Sequence, residues 1–165
     1  MDEQPAIETR AEQAYVGRRE VMPMRRFPER LPAMLDEVAG WLGERGLVPS
    51  SPPFLRYHVV DMPERMDVEA GFPLDAAPAD AGSLPRGVLP AGRYAVLTYT
   101  GVAEGVAANA RLKDWIAAQG EAIDSRLTPD GEAFAARLEA FLTDPETEPD
   151  QRRWRTEAAF KLRDR

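Results

Sequence analysis

The chain is 165 residues long, 44% hydrophobic and 30% charged, with no cysteine and one histidine, His58. That length sets one domain, or two small halves sharing a core, and a chain of this size buries roughly 70% of its unfolded surface without disulfide staples. The missing cysteine excludes disulfides, thiolate metal sites and cysteine nucleophiles, the single histidine leaves no material for a histidine metal cage or a Ser-His-Asp triad, and the net charge of −7 repels polyanions, so no metal, cofactor, nucleic acid or membrane partner is expected.

The first residues have neither a basic stretch nor an apolar run, so no signal peptide is read. No apolar run approaches the ~18 residues of a membrane span, and a soluble cytoplasmic protein is expected. Residues 6–20 read as an extended segment around Ala14-Tyr15-Val16, closed by a turn at Met22-Pro23-Met24. Arg25-Arg26 and, later, Arg152-Arg153 are too short for a nucleic-acid patch and read as solvated surface. A helix follows over 29–45, where Leu31, Met34, Leu35, Val38 and Leu42 form one apolar stripe, with Pro28 and Pro32 near its start and Gly46 past its end.

After a proline-rich loop at 49–53, residues 54–60 (Phe-Leu-Arg-Tyr-His-Val-Val) read as a strand. Residues 67–74 read as another, with Val68, Ala70, Phe72 and Leu74 on one side and Asp67, Glu69 and Gly71 on the other. From 73 to 92 Pro, Gly, Ala and Asp dominate, which reads as a connector. Residues 93–100 form a strand, and 103–119 a helix presenting Ala108, Leu112, Trp115 and Ile116 on one face, with Gly120 after it. Residues 121–133 read as loop, with a turn at Thr128-Pro129-Asp130-Gly131. The spacing of Phe134, Leu138, Phe141 and Leu142 suits a short helix as well as a strand. Residues 144–151 form an acidic turn and 154–162 the last strand. Asp144 and Asp150 lack the alternating acids of a calcium loop, and Gly101 to Gly105 lack the lysine and spacing of a phosphate loop.

The two halves repeat. Both helices end on Trp-aliphatic-three residues-Gly, at Trp41-Leu42 and Trp115-Ile116. The closing strands, Val68-Glu69-Ala70-Gly71-Phe72-Pro73-Leu74 and Thr156-Glu157-Ala158-Ala159-Phe160-Lys161-Leu162, share Glu, Ala, Phe and Leu at matching positions. The expected fold is α+β in a single domain. Two pseudo-twofold-related βαββ repeats, about 6–74 and 93–163 with a linker about 75–92, enclose a groove between antiparallel sheets, each covered by one long helix.

The repeat makes Glu69 and Glu157 equivalent, each opposite a Phe/Leu face and so directed to the groove or solvent. Tyr57, Tyr94, Tyr99, Trp115, Phe141 and Trp154 lie on elements bordering that groove. A carboxylate walled by aromatic rings suits a flat cationic or amphipathic ligand. If the site were catalytic, Glu157 or Glu69 would be its acid or base. His58 alternates with Tyr57, faces the other side of its strand and reads as a satisfied structural histidine.

Pro52-Pro53-Phe54-Leu55-Arg56-Tyr57-His58, Asp67 to Leu74, Leu89-Pro90-Ala91-Gly92-Arg93-Tyr94-Ala95, Trp115, Thr143-Asp144-Pro145 and Trp154-Arg155-Thr156-Glu157, in that order, resemble the GyrI-like small-molecule-binding domain. That domain is the bacterial effector-binding module also found in AraC-type and MerR-type multidrug regulators. The resemblance covers about 5–163 and implies two βαββ (SHS2-type) repeats. It also implies a pocket-floor glutamate for cationic drugs at Glu157 and a pocket tyrosine at Tyr57. Glu139-Ala140-Phe141 has Phe where the family often carries Tyr, so a hydroxyl is missing there, and Ala158 after Thr-Glu widens the pocket. With too few residues before the first strand for a helix-turn-helix, the chain reads as a stand-alone module that senses or sequesters an amphipathic or cationic small molecule. Two alternatives come from the resemblance: a hydrolase of cyclopropanoid or other electrophilic natural products using a pocket glutamate, and a gyrase-inhibitor-like interaction protein.

Overall fold

The computed structural model describes residues 3–75 and 84–165. The expected extended segment over 6–20 divides into β1 (Ala6–Arg10) and β2 (Gln13–Met22). Helix α1 (Phe27–Glu44) buries Met34, Val38, Trp41 and Leu42 of the apolar face. Strands β3 (Phe54–Asp61) and β4 (Arg65–Pro73) stand where expected. The connector differs, because its described end forms a short strand, β5 (Arg86–Leu89), while residues 76–83 lie outside the described residues.

In the second half, β6 (Gly92–Thr100) leads to α2 (Gly105–Ala118). The segment expected as loop over 121–133 is a hairpin, β7 (Ser125–Thr128) and β8 (Gly131–Phe134). The turn between them sits where anticipated, with the Thr128 hydroxyl donating to the Gly131 carbonyl at 2.7 Å. The ambiguous stretch resolves as β9 (Arg137–Phe141), because it is paired on both sides, and β10 (Arg155–Lys161) closes the chain. Among the described residues no helix is long and apolar enough to cross a membrane.

The strands form one antiparallel sheet in the order β1-β6-β10-β9-β3-β4-β2-β5, with the β7–β8 hairpin attached to β3. The expectation of two sheets with a groove between them is corrected here. The would-be edges β3 and β9 hydrogen-bond to each other, with Phe54 opposite Ala140 and Arg56 opposite Leu138. Pairing removes two rows of unsatisfied backbone groups that separate sheets would expose.

Register assigns every side chain to one of two faces. Met22, Leu55, Tyr57, Met66, Val68, Ala70, Ala95, Leu97, Tyr99, Ala158 and Phe160 share a core with Met34 of α1 and with Ala108, Leu112 and Ile116 of α2, so both helices cover the same face. The opposite face carries a smaller cluster of Tyr15, Phe54, Leu89, Tyr94, Leu138 and Ala159. Helix α1 packs mainly on β2 and β4, and α2 on β6 and β10. The central strands β3 and β9 therefore run between the helices.

Candidate functional site

Glu139 lies on β9 in this inter-helix strip. It pairs with Leu55 on β3 and Ala158 on β10, both members of the helix-side core. Its two carboxylate oxygens each accept one phenol: Tyr57 donates to Oε1 at 2.5 Å and Tyr99 to Oε2 at 2.8 Å. Glu139 is half-buried, whereas both tyrosines are buried, at 6% and 3% exposure. Burial first, then the neighbouring carboxylate, pushes both phenols above their usual range, so they stay neutral donors. Among the described residues no cation pairs with this carboxylate within 4 Å.

The helix-side core around it is apolar. Phe27, Leu31 and Leu35 of α1, Trp115 of α2 and Phe141 of β9 are all half-buried against the core, and the Phe27 ring lies 6.3 Å from that of Tyr57. Gly105 opens α2 beside Tyr99. A Cβ there would stand 3.1 Å from the Tyr99 hydroxyl, so glycine lets the helix approach this donor.

The sequence-derived site residues divide between the two faces. Tyr57 and Tyr99 hydrogen-bond Glu139, Phe141 follows it on the same strand face, and Trp115 of α2 packs against the helix-side core. Glu69, Glu157 and Tyr94 are on the helix-free face, because Glu157 pairs with Ala140 rather than Glu139, and Glu69 with Arg56 rather than Tyr57. Trp154 belongs to neither group and donates its indole N–H to the Glu148 carbonyl in the acidic turn.

The helix-free face satisfies its own acids. Glu69, 4% exposed, accepts from the Tyr15 hydroxyl at 2.6 Å and lies 2.9 Å from Nε2 of His58. A register shift between Tyr57 and Val59 lets His58 reach it. Arg56 donates to the Tyr15 oxygen at 2.9 Å and to the Ala135 carbonyl at 2.8 Å. Burial alone raises the Glu69 carboxyl, but hydrogen bonds from His58 and Tyr15 and the charges of His58 and Arg56 outweigh it, and the net shift is downward. Gly17 makes room for this carboxylate, since a Cβ there would stand 2.9 Å from the Glu69 side chain. Glu157 is paired with Arg10 at 2.6 Å, and Arg10 also binds Glu8 and stacks 5.2 Å above the Tyr94 ring.

The sequence reading did not single out Glu139 and noted only the phenylalanine two residues on. The available signal was a lone carboxylate between Leu138 and Phe141 on a segment that must be buried once it is central in the sheet.

Comparison with known proteins agrees with this architecture. The profile of the GyrI-like small molecule binding domain matches residues 3–157, and the chain belongs to that family. The EcmrR C-terminal domain superposes with a TM-score of 0.76 at 19% identity, covering 98% of each chain. EcmrR in its DNA complex gives 0.76 at 18% identity, with 98% of this chain matched to 58% of that one. SAV2435, solved bound to tetraphenylphosphonium, gives 0.61 at 12% identity over 98% of this chain and 94% of that chain. A protein from Listeria innocua described as a hydrolase gives 0.65 at 10% identity over 97% and 92%. No curated protein sequence matches the chain.

Proposed function

We propose that the chain binds an amphipathic, cationic small molecule on the strip between its helices. The positive charge rests on Glu139, and the apolar body lies against Tyr57, Trp115 and Phe141. The observation that carries this reading is a half-exposed carboxylate held only by neutral hydroxyls between apolar walls. Such an acid is oriented but not neutralised, and aromatic neighbours add cation–π attraction of about 0.5–2 kcal/mol each. Family membership and the tetraphenylphosphonium bound to SAV2435 support the same class of ligand.

The placement of the strip fits a single domain made of two related halves, about 6–74 and 93–163 with a linker about 75–92. From the centre outward the sheet runs β3-β4-β2-β5 on one side and β9-β10-β6-β1 on the other. On this reading each half supplies one βαββ unit, the first half's β1 caps the far end beside β6, and β5, from the linker, caps the other end beside β2. The strip lies where a pseudo-twofold axis relating the halves would pass.

The test is calorimetric titration of tetraphenylphosphonium into the wild-type chain and Glu139→Gln. Glutamine keeps the shape and removes the charge. Losing a charged partner of this kind lowers affinity about ten-fold or more. Equal affinity in the two proteins, or no binding to the wild type, overturns the reading.

A further inference from the structure

Two residues before Glu139 on the same strand face stands Arg137, 6% exposed. Its guanidinium lies 4.9 Å from the Tyr57 ring, 5.1 Å from Phe134 and 4.9 Å from Phe160. Among the described residues it has no hydrogen bond and no ion pair, and its buried Nε is unpartnered. On the other elements facing it, Lys113 of α2 puts Nζ 5.9 Å from the same Phe160 ring and likewise has no ion pair or hydrogen bond among the described residues. Glu139 and Glu132 act on Arg137 through their field alone, and Glu132 accepts from the Ser125 hydroxyl at 2.6 Å.

The other buried cation is treated differently: Lys161 donates to Asp124 at 3.0 Å. Half-buried Arg56 shares an unpartnered Nε with Arg137, but its other nitrogens donate to the Tyr15 hydroxyl and the Ala135 carbonyl, whereas Arg137 donates to nothing among the described residues. A guanidinium has five N–H donors in a fork that matches a carboxylate, and rings satisfy its charge but not its hydrogens. Burial has lowered the proton affinity of both Arg137 and Lys113, as expected of cations lacking an anion. Tyr57 is the shared wall: its hydroxyl serves Glu139 and its ring faces Arg137. Residues two apart on one strand face are separated by about 6.5 Å.

Resting on the reading above, we propose that the ligand is an aromatic zwitterion, with its cationic group on Glu139 and a carboxylate on Arg137 and Lys113. The spacing suits a molecule whose opposite charges are about 6–7 Å apart on one rigid body.

A matched pair of dyes tests this. Rhodamine 110 carries a free carboxylate beside its cationic ring system, and rhodamine 123 is its methyl ester. Each is titrated with the full chain at pH 7 and followed by fluorescence anisotropy. The wild type is expected to bind the acid about ten-fold more tightly than the ester. Arg137→Met brings the ratio to about one, and Lys113→Met, at a half-exposed helix position that does not endanger folding, lowers it about three-fold. A wild type that binds the ester as tightly as the acid overturns the proposal and leaves cation binding intact, as does an acid preference surviving in both variants. Binding of neither dye, with tetraphenylphosphonium also unbound, overturns the underlying reading as well.

Discussion

The two faces of the sheet handle their acids in opposite ways. On the helix-free face Glu69 is closed in by Tyr15 and His58, with Arg56 behind the tyrosine, and Glu157 is taken by Arg10. Between the helices Glu139 accepts hydrogen bonds from two neutral phenols alone, and the nearby buried Arg137 acts on it only through its field, without pairing. All three are glutamates on central or near-central strands, so residue type and strand position do not separate them. The partner does: an internal cation consumes the charge, whereas a neutral hydroxyl orients it and leaves it for a visitor. On this argument the helix-free acids hold the fold and the inter-helix acid holds the ligand, which variants on either face can break.

The largest effect is expected at Glu69. Glu69→Leu strands the buried Tyr15 hydroxyl and removes the partner of His58, and unfolding in urea should show a loss of about 3 kcal/mol. Because the Glu69 carboxyl lies below its ordinary 4.5, its contribution to stability is complete above that pH and is lost as pH falls through the lowered value. The wild type should therefore lose stability below pH 4.5 more steeply than Glu69→Leu does. Tetraphenylphosphonium affinity of the folded variant should match the wild type. A stable variant that no longer binds would place the ligand on the wrong face.

A matched pair of hydroxyl deletions gives the next effect. Tyr15→Phe removes a phenol wedged between Glu69 and Arg56 and is expected to lower stability by about 2 kcal/mol with binding unchanged. Tyr99→Phe removes one of the two donors that orient Glu139. It should lower stability by about 1 kcal/mol and weaken tetraphenylphosphonium binding about three-fold, since the half-exposed carboxylate keeps water as a substitute donor. Identical behaviour in the two variants would erase the distinction between the faces.

Much of the fold is legible in the sequence because most of its elements are periodic. The stripe from Leu31 to Leu42 and the alternation from Val68 to Leu74 follow directly from burying one face. β7 escapes detection for the converse reason, since its Leu127 is 87% exposed and it has no buried side to read, and the break that separates the almost wholly exposed β1 from β2 within the expected extended segment escapes for the same reason. β5 is four residues within a proline- and glycine-rich stretch. Of the proposed site, Tyr57, Trp115 and Phe141 advertise themselves in the sequence as aromatic residues on periodic elements, but which acid faces the helices depends on register. Glu157 lies across from Ala140, and one residue's offset sends Glu139 and Glu157 to opposite faces. Local pattern does not contain that offset, because it is fixed by how β9 and β10 meet after a connection that includes a short 3-10 turn, Gln151–Arg153.

The smallest effect is expected at Glu157, the position family resemblance singles out. Its ion pair with Arg10 is short, at 2.6 Å, yet the two side chains remain 24% and 28% exposed, so water competes for both and salt screens them. Glu157→Gln keeps a hydrogen-bond acceptor for Arg10, and Glu8 still holds the same guanidinium. Thermal or urea unfolding should therefore register about 0.5 kcal/mol or less, shrinking further in added salt. Calorimetry should give the wild-type affinity for tetraphenylphosphonium. Because this carboxylate points away from both helices, a fall in affinity here as large as that of Glu139→Gln has no local explanation. It would mean that the ligand reaches the face where Arg10 and Tyr94 stand, displaces an internal cation to do so, and leaves the strip between the helices as ordinary core.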